Sequence, residues 1–110
     1  MDARDLQRLQ HMQTHCRDIL FYSSICGGDF ARFAKRPLFL EYVRVSMYHI
    51  GELAENVQLS VLPENWDSVC AWSAMRTQDA QSLDARAVWD QMQNEIPSLL
   101  RFCEEAKKME

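Results

Sequence analysis

Apolar and polar residues alternate along the first part of the chain in the three- and four-residue steps of a single helix face. The pattern predicts an amphipathic helix from Asp5 to Ile25, ended by the Gly27-Gly28 pair. Asp29 is placed to cap a short helical turn that reaches Lys35, because its carboxylate can accept hydrogen bonds from free backbone N–H groups. The apolar stripe of the first helix consists of Leu6, Leu9, Met12, Cys16, Ile19 and Leu20.

The next helix is predicted to be the longest, from Pro37 to about Ser60, since proline suits the first helical position. Gly51 lies in its interior, where glycine costs about 1 kcal/mol relative to alanine. Its presence there predicts that another helix crosses closely at this point. The buried seam of this helix is expected to contain Phe39, Tyr42, Val43, Ser46, Ile50, Leu53, Ala54, Val57 and Val61.

Two further helices are predicted after a break at Pro63, the first from Trp66 to about Arg76. The polar stretch Thr77–Leu83 reads as a loop. Asp84 can cap a last helix, and Pro97 is expected to bend that helix because its ring removes one backbone hydrogen bond. Three residues are interpreted as core rather than as a binding surface: Trp66, Trp72 and Trp89.

Length and composition support one helical domain. A chain of 110 residues can build one hydrophobic core, so residues 1–110 are expected to form a single domain. Hydrophobic residues make up 47% of the chain, and it has only three glycines and three prolines, which favours long helices over a turn-rich β fold. The predicted fold is all-α, an antiparallel bundle of four main helices with a short connecting helix.

The cysteine pattern and the lack of long apolar stretches indicate the cellular compartment. Cys16, Cys26, Cys70 and Cys103 are scattered without a Cys-x-x-Cys pair, which fits reduced, mostly buried thiols better than disulfides or a zinc site. Residues 1–15 lack the apolar stretch of a secretion signal, and no later run approaches membrane-spanning length. The protein is therefore expected to be cytoplasmic, without a membrane partner.

The net charge of −4 opposes non-specific binding to the phosphate backbone of RNA or DNA, which depends largely on Lys and Arg. Arg32, Lys35 and Arg36 nevertheless cluster before Pro37. We interpret this cluster as a solvated helix end, with a local basic patch as the alternative.

Several short motifs stand in a distinctive order: Ile50-Gly51-Glu52, Met75-Arg76, Trp89 and Ile96-Pro97. Their order and spacing resemble the HEPN superfamily, specifically its HepT-like branch of small helical proteins that act as the toxin halves of bacterial toxin–antitoxin pairs. The resemblance extends from the first helix to about Arg101. It implies a single HepT-like domain and a metal-independent ribonuclease motif.

That family motif is an Arg, followed after about four to six residues by a His and then by a nearby Tyr. Cleavage of RNA through its own 2′-hydroxyl needs a group that exchanges protons near neutral pH, for which His is suited, and a cation that stabilises the phosphorane. Arg76 matches the Arg, but Ala80, Gln81 and Ser82 occupy the spacing of the His, and Leu83 stands in place of the Tyr. The proton-transfer group is missing.

The leading hypothesis is therefore a HepT-like protein that has lost catalysis and acts as a homodimeric binding or regulatory module. The resemblance implies a ligand or dimer cleft around Arg44, Tyr48, Glu52 and the residual motif residue Arg76, and a nucleotidyltransferase-fold antitoxin as partner. Two structural alternatives carry equal weight. The polar stripe on the long helix, formed by Arg44, Tyr48, Glu52 and Glu55, could instead make surface ion pairs, and Arg76 could stabilise the C-terminus of a helix.

Two other functions remain open. The chain could be a ribonuclease toxin with a rebuilt site that combines Arg76 with His49 or Asp79, or it could bind a nucleotide or other small molecule in the cleft. His11 and His15 stand one turn apart, as metal ligands can, but no third ligand has suitable spacing, so a surface pair is favoured. No metal or cofactor is expected.

Overall fold

Helices form all the regular structure in the part of the chain that the computed structural model describes, residues 1–78 and 83–108. The predicted all-α class is confirmed. No helix among these residues is long and apolar enough to cross a membrane. In chain order the elements are α1 (Ala3–Ile25), α2 (Phe30–Ala34), α3 (Pro37–Asn56), α4 (Trp66–Ala71), a 3₁₀-helix (Trp72–Thr77), α5 (Ala85–Asn94) and α6 (Ile96–Lys108).

The ends of α1 follow from local hydrogen bonds. The Asp2 carboxylate accepts a hydrogen bond from the backbone N–H of Arg4 at 2.8 Å, so the helix begins slightly before the predicted start. Gly27 and Gly28 have φ angles of 64° and 71°, a conformation that L side chains rarely adopt. The Gly28 N–H donates to the carbonyl of Ser23, which closes the helix at the predicted place.

Helices α1 and α3 run antiparallel, joined by the short α2. The Asp29 carboxylate caps α2 as predicted, accepting from the N–H of Ala31 at 3.0 Å. Side chains at matching distances from this connection meet: the Tyr22 and Tyr42 rings are 5.6 Å apart near it, and Arg8 reaches the far end of α3. Helix α6 also packs along α1, where Lys107 donates to buried Gln13 at 2.7 Å.

The end of α3 differs from the prediction, because the helix stops at Asn56 instead of near Ser60. Arg8 of α1 donates to the Asn56 carbonyl at 3.1 Å, and the Asp5 carboxylate accepts from the N–H of Gln58 at 3.4 Å. These contacts satisfy backbone groups at the C-terminal end of α3 with side chains from another helix. The first turns of α1 therefore end the long helix.

Two residues predicted for the buried seam of α3 are exposed. Val61 is 73% exposed because the helix has already ended before it, so the helical spacing no longer applies. Tyr42 is 46% exposed because it lies on the outer flank of α3, against Tyr22.

Gly51 is in close contact with the 3₁₀-helix, and the predicted helix crossing at this residue is confirmed. A Cβ atom added there would lie 2.3 Å from the backbone N of Ser73 and 2.9 Å from the carbonyl carbon of Trp72. The backbone of the 3₁₀-helix therefore rests directly on α3.

The predicted last helix is divided into two near Pro97. Asp84 caps α5 as expected, accepting from the N–H of Arg86 at 3.0 Å. Helix α5 ends at Asn94 and α6 begins at Ile96, because Pro97 has no N–H to donate to the carbonyl of Gln93 and its ring crowds that carbonyl.

The core joins residues from all of these elements. Trp66, Trp72 and Trp89 are buried, as predicted. The four cysteines are free thiols, three of them buried and Cys70 half-buried. The buried Ser23 hydroxyl has a partner, because it accepts a 2.8 Å hydrogen bond from Gln93.

We expect Gly51→Ala to destabilise the protein by about 1–3 kcal/mol, because the added methyl group would displace the backbone of the 3₁₀-helix. This loss should exceed the gain of about 1 kcal/mol in helix propensity that alanine normally brings. Urea unfolding measures the free energy directly. The exposed α1 substitution Gln7→Ala serves as the control and should be neutral within about 0.5 kcal/mol. A stabilised Gly51→Ala variant would contradict the close contact.

Candidate functional site

Arg76, the residue that matches the family motif, lies at the end of the 3₁₀-helix. Its side chain is exposed, and it makes no hydrogen bond to any residue in the described ranges. Leu83, which stands where the family has Tyr, packs against the hydrophobic core. Asp79 and the motif positions Ala80, Gln81 and Ser82 lie outside the described residues.

Arg44 holds the segment that presents Arg76. Its guanidinium donates to the carbonyl of Met75 at 2.7 Å and also bonds to the carboxylate of Glu41 on the same helix. Only 12% of the Arg44 side chain is exposed. Arg44 and Arg76 are thus brought to the same place, but the Arg44 side chain is engaged by the backbone next to Arg76.

The residues of the polar stripe predicted on α3 contact two different neighbouring elements. Arg44 faces the 3₁₀-helix, and so does Glu55, whose carboxylate accepts from the Ser73 hydroxyl at 2.6 Å. Glu52 instead lines a groove between α3 and α1. Tyr48 lies between Arg44 and Glu52 along the stripe and is half-buried, with its ring 4.2 Å from that of His49. Arg44 and Glu52 therefore contact different neighbouring elements, although Arg44, Tyr48 and Glu52 succeed one another at four-residue steps along α3.

A groove between α1 and α3 collects all three histidines of the chain, and we call it the histidine groove. Its volume is about 560 Å³. The rings of His15 and His49 stack with centroids 5.1 Å apart and an interplanar angle of 15°. The groove is lined by Arg8, His11, His15, His49, Glu52, Leu53 and Asn56.

Sequence reasoning did not predict that His15 and His49 would stack. The signal was present, because two antiparallel helices joined by a short connection bring together residues at equal distances from it. The expected surface pair of His11 and His15 is found only in part: His11 is exposed, but His15 is half-buried.

His15 is the electrostatically perturbed member of the groove. Burial lowers its pKa, the neighbouring His49 and His11 lower it further, and Asp18 opposes the shift. Its Nδ1 atom is buried and has no hydrogen-bond partner among residues 1–78 and 83–108. The neutral form of His15 is therefore favoured in the folded protein.

Arg76 and His49 approach α3 from different sides. Gly51 contacts the 3₁₀-helix that carries Arg76, whereas His49 stacks on α1. Residues two apart on an α-helix are rotated by about 200° around its axis. The body of α3 consequently stands between the Arg76 segment and the histidine ring.

The chemistry of these two places is limited by their separation. Arg76 can stabilise a negative charge, but no imidazole bonds to it within residues 1–78 and 83–108, so the arrangement lacks a histidine proton shuttle there. The histidine groove contains titratable rings, yet none of the described residues form a group of three or more ligands that could hold a metal ion.

Comparison with known proteins gives no independent assignment of these features. No family model matches the chain, and neither a curated protein nor a solved structure matches it.

We expect Arg44→Ala to destabilise the protein by about 1.5–3 kcal/mol, because it removes a largely buried, charged donor from the Met75 carbonyl. Thermal or urea unfolding gives the value. Arg17→Ala is the matched control, since the Arg17 side chain is 61% exposed and its ion pair with Glu104 should contribute less than about 1 kcal/mol. An Arg44→Ala variant as stable as the wild type would show that the bond from Arg44 to the Met75 carbonyl does not stabilise the fold.

We expect the free energy of unfolding to fall as the pH is lowered through about 6.5, the ordinary pKa of histidine. The folded-state pKa of His15 is lower than that value, so as the pH falls the unfolded chain binds a proton before the folded protein does. The free energy of unfolding therefore decreases until the folded protein is protonated as well. The titratable groups that face His15 are His49, His11 and Asp18, and the groove is also lined by Glu52 of α3 and Arg8 of α1.

Urea unfolding at about pH 8 and about pH 5 tests this dependence. His15→Gln should flatten the pH dependence, whereas His11→Gln, at the exposed neighbouring position, should retain most of it. Equal pH slopes for the wild type and His15→Gln would show that burial of His15 has no such effect.

Proposed function

We propose that this chain is a HepT-like protein of the HEPN superfamily that has lost ribonuclease catalysis and acts in the cytoplasm as a homodimeric binding or regulatory module. One observation carries the proposal: all three histidines lie in the histidine groove, while Arg76 lies on the 3₁₀-helix across α3, with no histidine bonded to it among residues 1–78 and 83–108. An isolated arginine can bind a phosphate but cannot pass protons.

The surroundings of Arg76 favour a binding role over a catalytic one. Its side chain is exposed, and the segment that presents it is bonded to α3 through the Met75 carbonyl, which accepts from Arg44, and the Ser73 hydroxyl, which donates to Glu55. A cation on a fixed support suits recognition of an acidic group. Loss of a general acid or base lowers a rate by about a hundred- to ten-thousand-fold, which would leave too little activity for a toxin.

The ribonuclease alternative requires His49 to act with Arg76. The stacking of His49 on His15 opposes it, because the ring would have to leave this contact and cross to the other side of α3. The alternative with Asp79 concerns a residue outside the described ranges. Both alternatives predict cleavage that depends on Arg76, which a direct assay detects.

The partner proposed for this module is a nucleotidyltransferase-fold antitoxin encoded nearby. The family resemblance is the support for this partner, together with the all-α fold. Recovery of such a protein in a pull-down from the native host would support the pairing, and repeated recovery of no protein at all would count against it.

We expect purified wild-type protein, Arg76→Ala and Arg101→Ala to behave alike when each is incubated with single-stranded RNA, with no cleavage above the buffer blank. Arg101 is the control because it is exposed and lies on another helix, α6. By light scattering, the wild type should have twice the chain mass of 12.9 kDa. RNA cleavage that is lost in Arg76→Ala but kept in Arg101→Ala would overturn the non-catalytic proposal.

A further inference from the structure

An exposed apolar surface lies where the end of α1 meets the start of α3. Phe21 and Ile25 are one turn apart on α1, and Leu38 and Tyr42 are one turn apart on α3. Their exposed fractions are 60%, 45%, 65% and 46%, high values for large apolar side chains. Exposed apolar groups that form one patch mark interaction sites more often than single ones do.

Ring contacts join the two helices into one surface. Tyr22 is half-buried between them, with its ring 5.9 Å from Phe21, 5.2 Å from Phe39 and 5.6 Å from Tyr42. The two exposed rings, Phe21 and Tyr42, thus flank a floor made by Tyr22 and Phe39. This arrangement matches the apolar grooves that receive one face of an amphipathic helix.

Positive charge borders this surface. The segment Phe30–Arg36 contains three cations and no carboxylate, although the whole chain has a net charge of −4. Lys35 and Arg36 line a groove of about 490 Å³ together with Ile25, and the Arg36 guanidinium lies 5.3 Å from the centroid of the Phe39 ring. Asp29, which precedes this segment, has its carboxylate 3.8 Å from Arg32, and its side chain is 53% exposed.

We propose that this basic–apolar patch, formed by Phe21, Ile25, Leu38, Tyr42, Lys35 and Arg36, docks an amphipathic segment of another protein that carries acidic and apolar side chains. Charge complementarity selects the partner: acids on the segment would meet Lys35 and Arg36 while its apolar face covers the four exposed side chains. The proposal deepens the binding role proposed above and names the chemistry of the partner.

Two other occupants are less well matched. A second copy placed symmetrically on this patch would bring four cations, Lys35 and Arg36 from each protomer, into one interface, and the segment Phe30–Arg36 has no carboxylate to pair with them. Single-stranded RNA would use the aromatic rings and the cations, but it would leave the aliphatic side chains of Ile25 and Leu38 uncovered by bases.

The test uses a fluorescent helical peptide of about 18 residues with leucines at helical a/d spacing and glutamates elsewhere, and a second peptide with lysines in place of the glutamates. Anisotropy should show saturable binding of the acidic peptide to the full chain, weakened about tenfold or more by Lys35→Glu/Arg36→Glu and by Leu38→Ser/Tyr42→Ser. The lysine peptide should bind about tenfold more weakly than the acidic peptide.

Matched controls are Arg101→Glu, an exposed cation elsewhere, and Val61→Ser, which changes an apolar residue that is 73% exposed outside the patch. Both should bind the acidic peptide like the wild type. Circular dichroism of each variant confirms that it is folded before binding is compared.

Three results would overturn the proposal. The first is no saturable binding of the acidic peptide, or equal binding to the wild type and to Lys35→Glu/Arg36→Glu. The second is tighter binding of an oligouridine than of the acidic peptide, lost in Lys35→Glu/Arg36→Glu, which would make the patch a nucleic-acid surface. The third is conversion of a wild-type dimer to a monomer by Leu38→Ser/Tyr42→Ser. None of these results bears on cleavage at Arg76, so the non-catalytic proposal is decided separately.

Discussion

The contact between Gly51 and the backbone of Trp72 and Ser73 determines how the second half of the chain is placed. The space there does not admit even a methyl group, so α3 and the 3₁₀-helix touch backbone to backbone. Arg44 and Glu55, which lie on either side of Gly51 along α3, then bond to the Met75 carbonyl and the Ser73 hydroxyl. Two polar bonds flank one steric contact, and together they set the position of the residues that lead to Arg76.

The same contact explains why the candidate catalytic groups do not meet. One side of α3 is occupied by the 3₁₀-helix, so the side chains that face away from it, including His49, pack against α1. An α-helix with its side chains is about 10–12 Å across. Rotation of a side chain alone cannot bridge that thickness, and the motif arginine stays apart from the imidazoles of its own chain.

Local chemistry made much of the fold predictable. Asp29 and Asp84 cap helices, the Gly27-Gly28 pair ends α1, and Gly51 marks a close crossing, because each of these residues acts through its own backbone or its immediate neighbours. The end of α3 was not predictable in this way. It depends on Arg8 and Asp5, which are distant in sequence and meet the helix end only after folding.

The candidate site shows the same division. The motif position of Arg76 and the lack of a histidine after it can be read from the sequence, since both are matters of spacing. The engagement of Arg44 by a carbonyl and the stacking of His15 on His49 are tertiary contacts between separate elements. The helical spacing of Arg44 and Glu52 gave no indication that Arg44 would bond to the 3₁₀-helix while Glu52 lines the groove with α1.

The buried thiols have a consequence for how the protein reacts with alkylating reagents. Cys16 on α1 and Cys103 on α6 are fully buried, and burial raises the pKa of both thiols, that of Cys103 to about 12. Since the thiolate is the reactive form, these two sulfurs are chemically silent while α1 and α6 stay together. Cys70 is more accessible than the three buried thiols, and labelling of Cys16 or Cys103 would report the separation of α1 from α6.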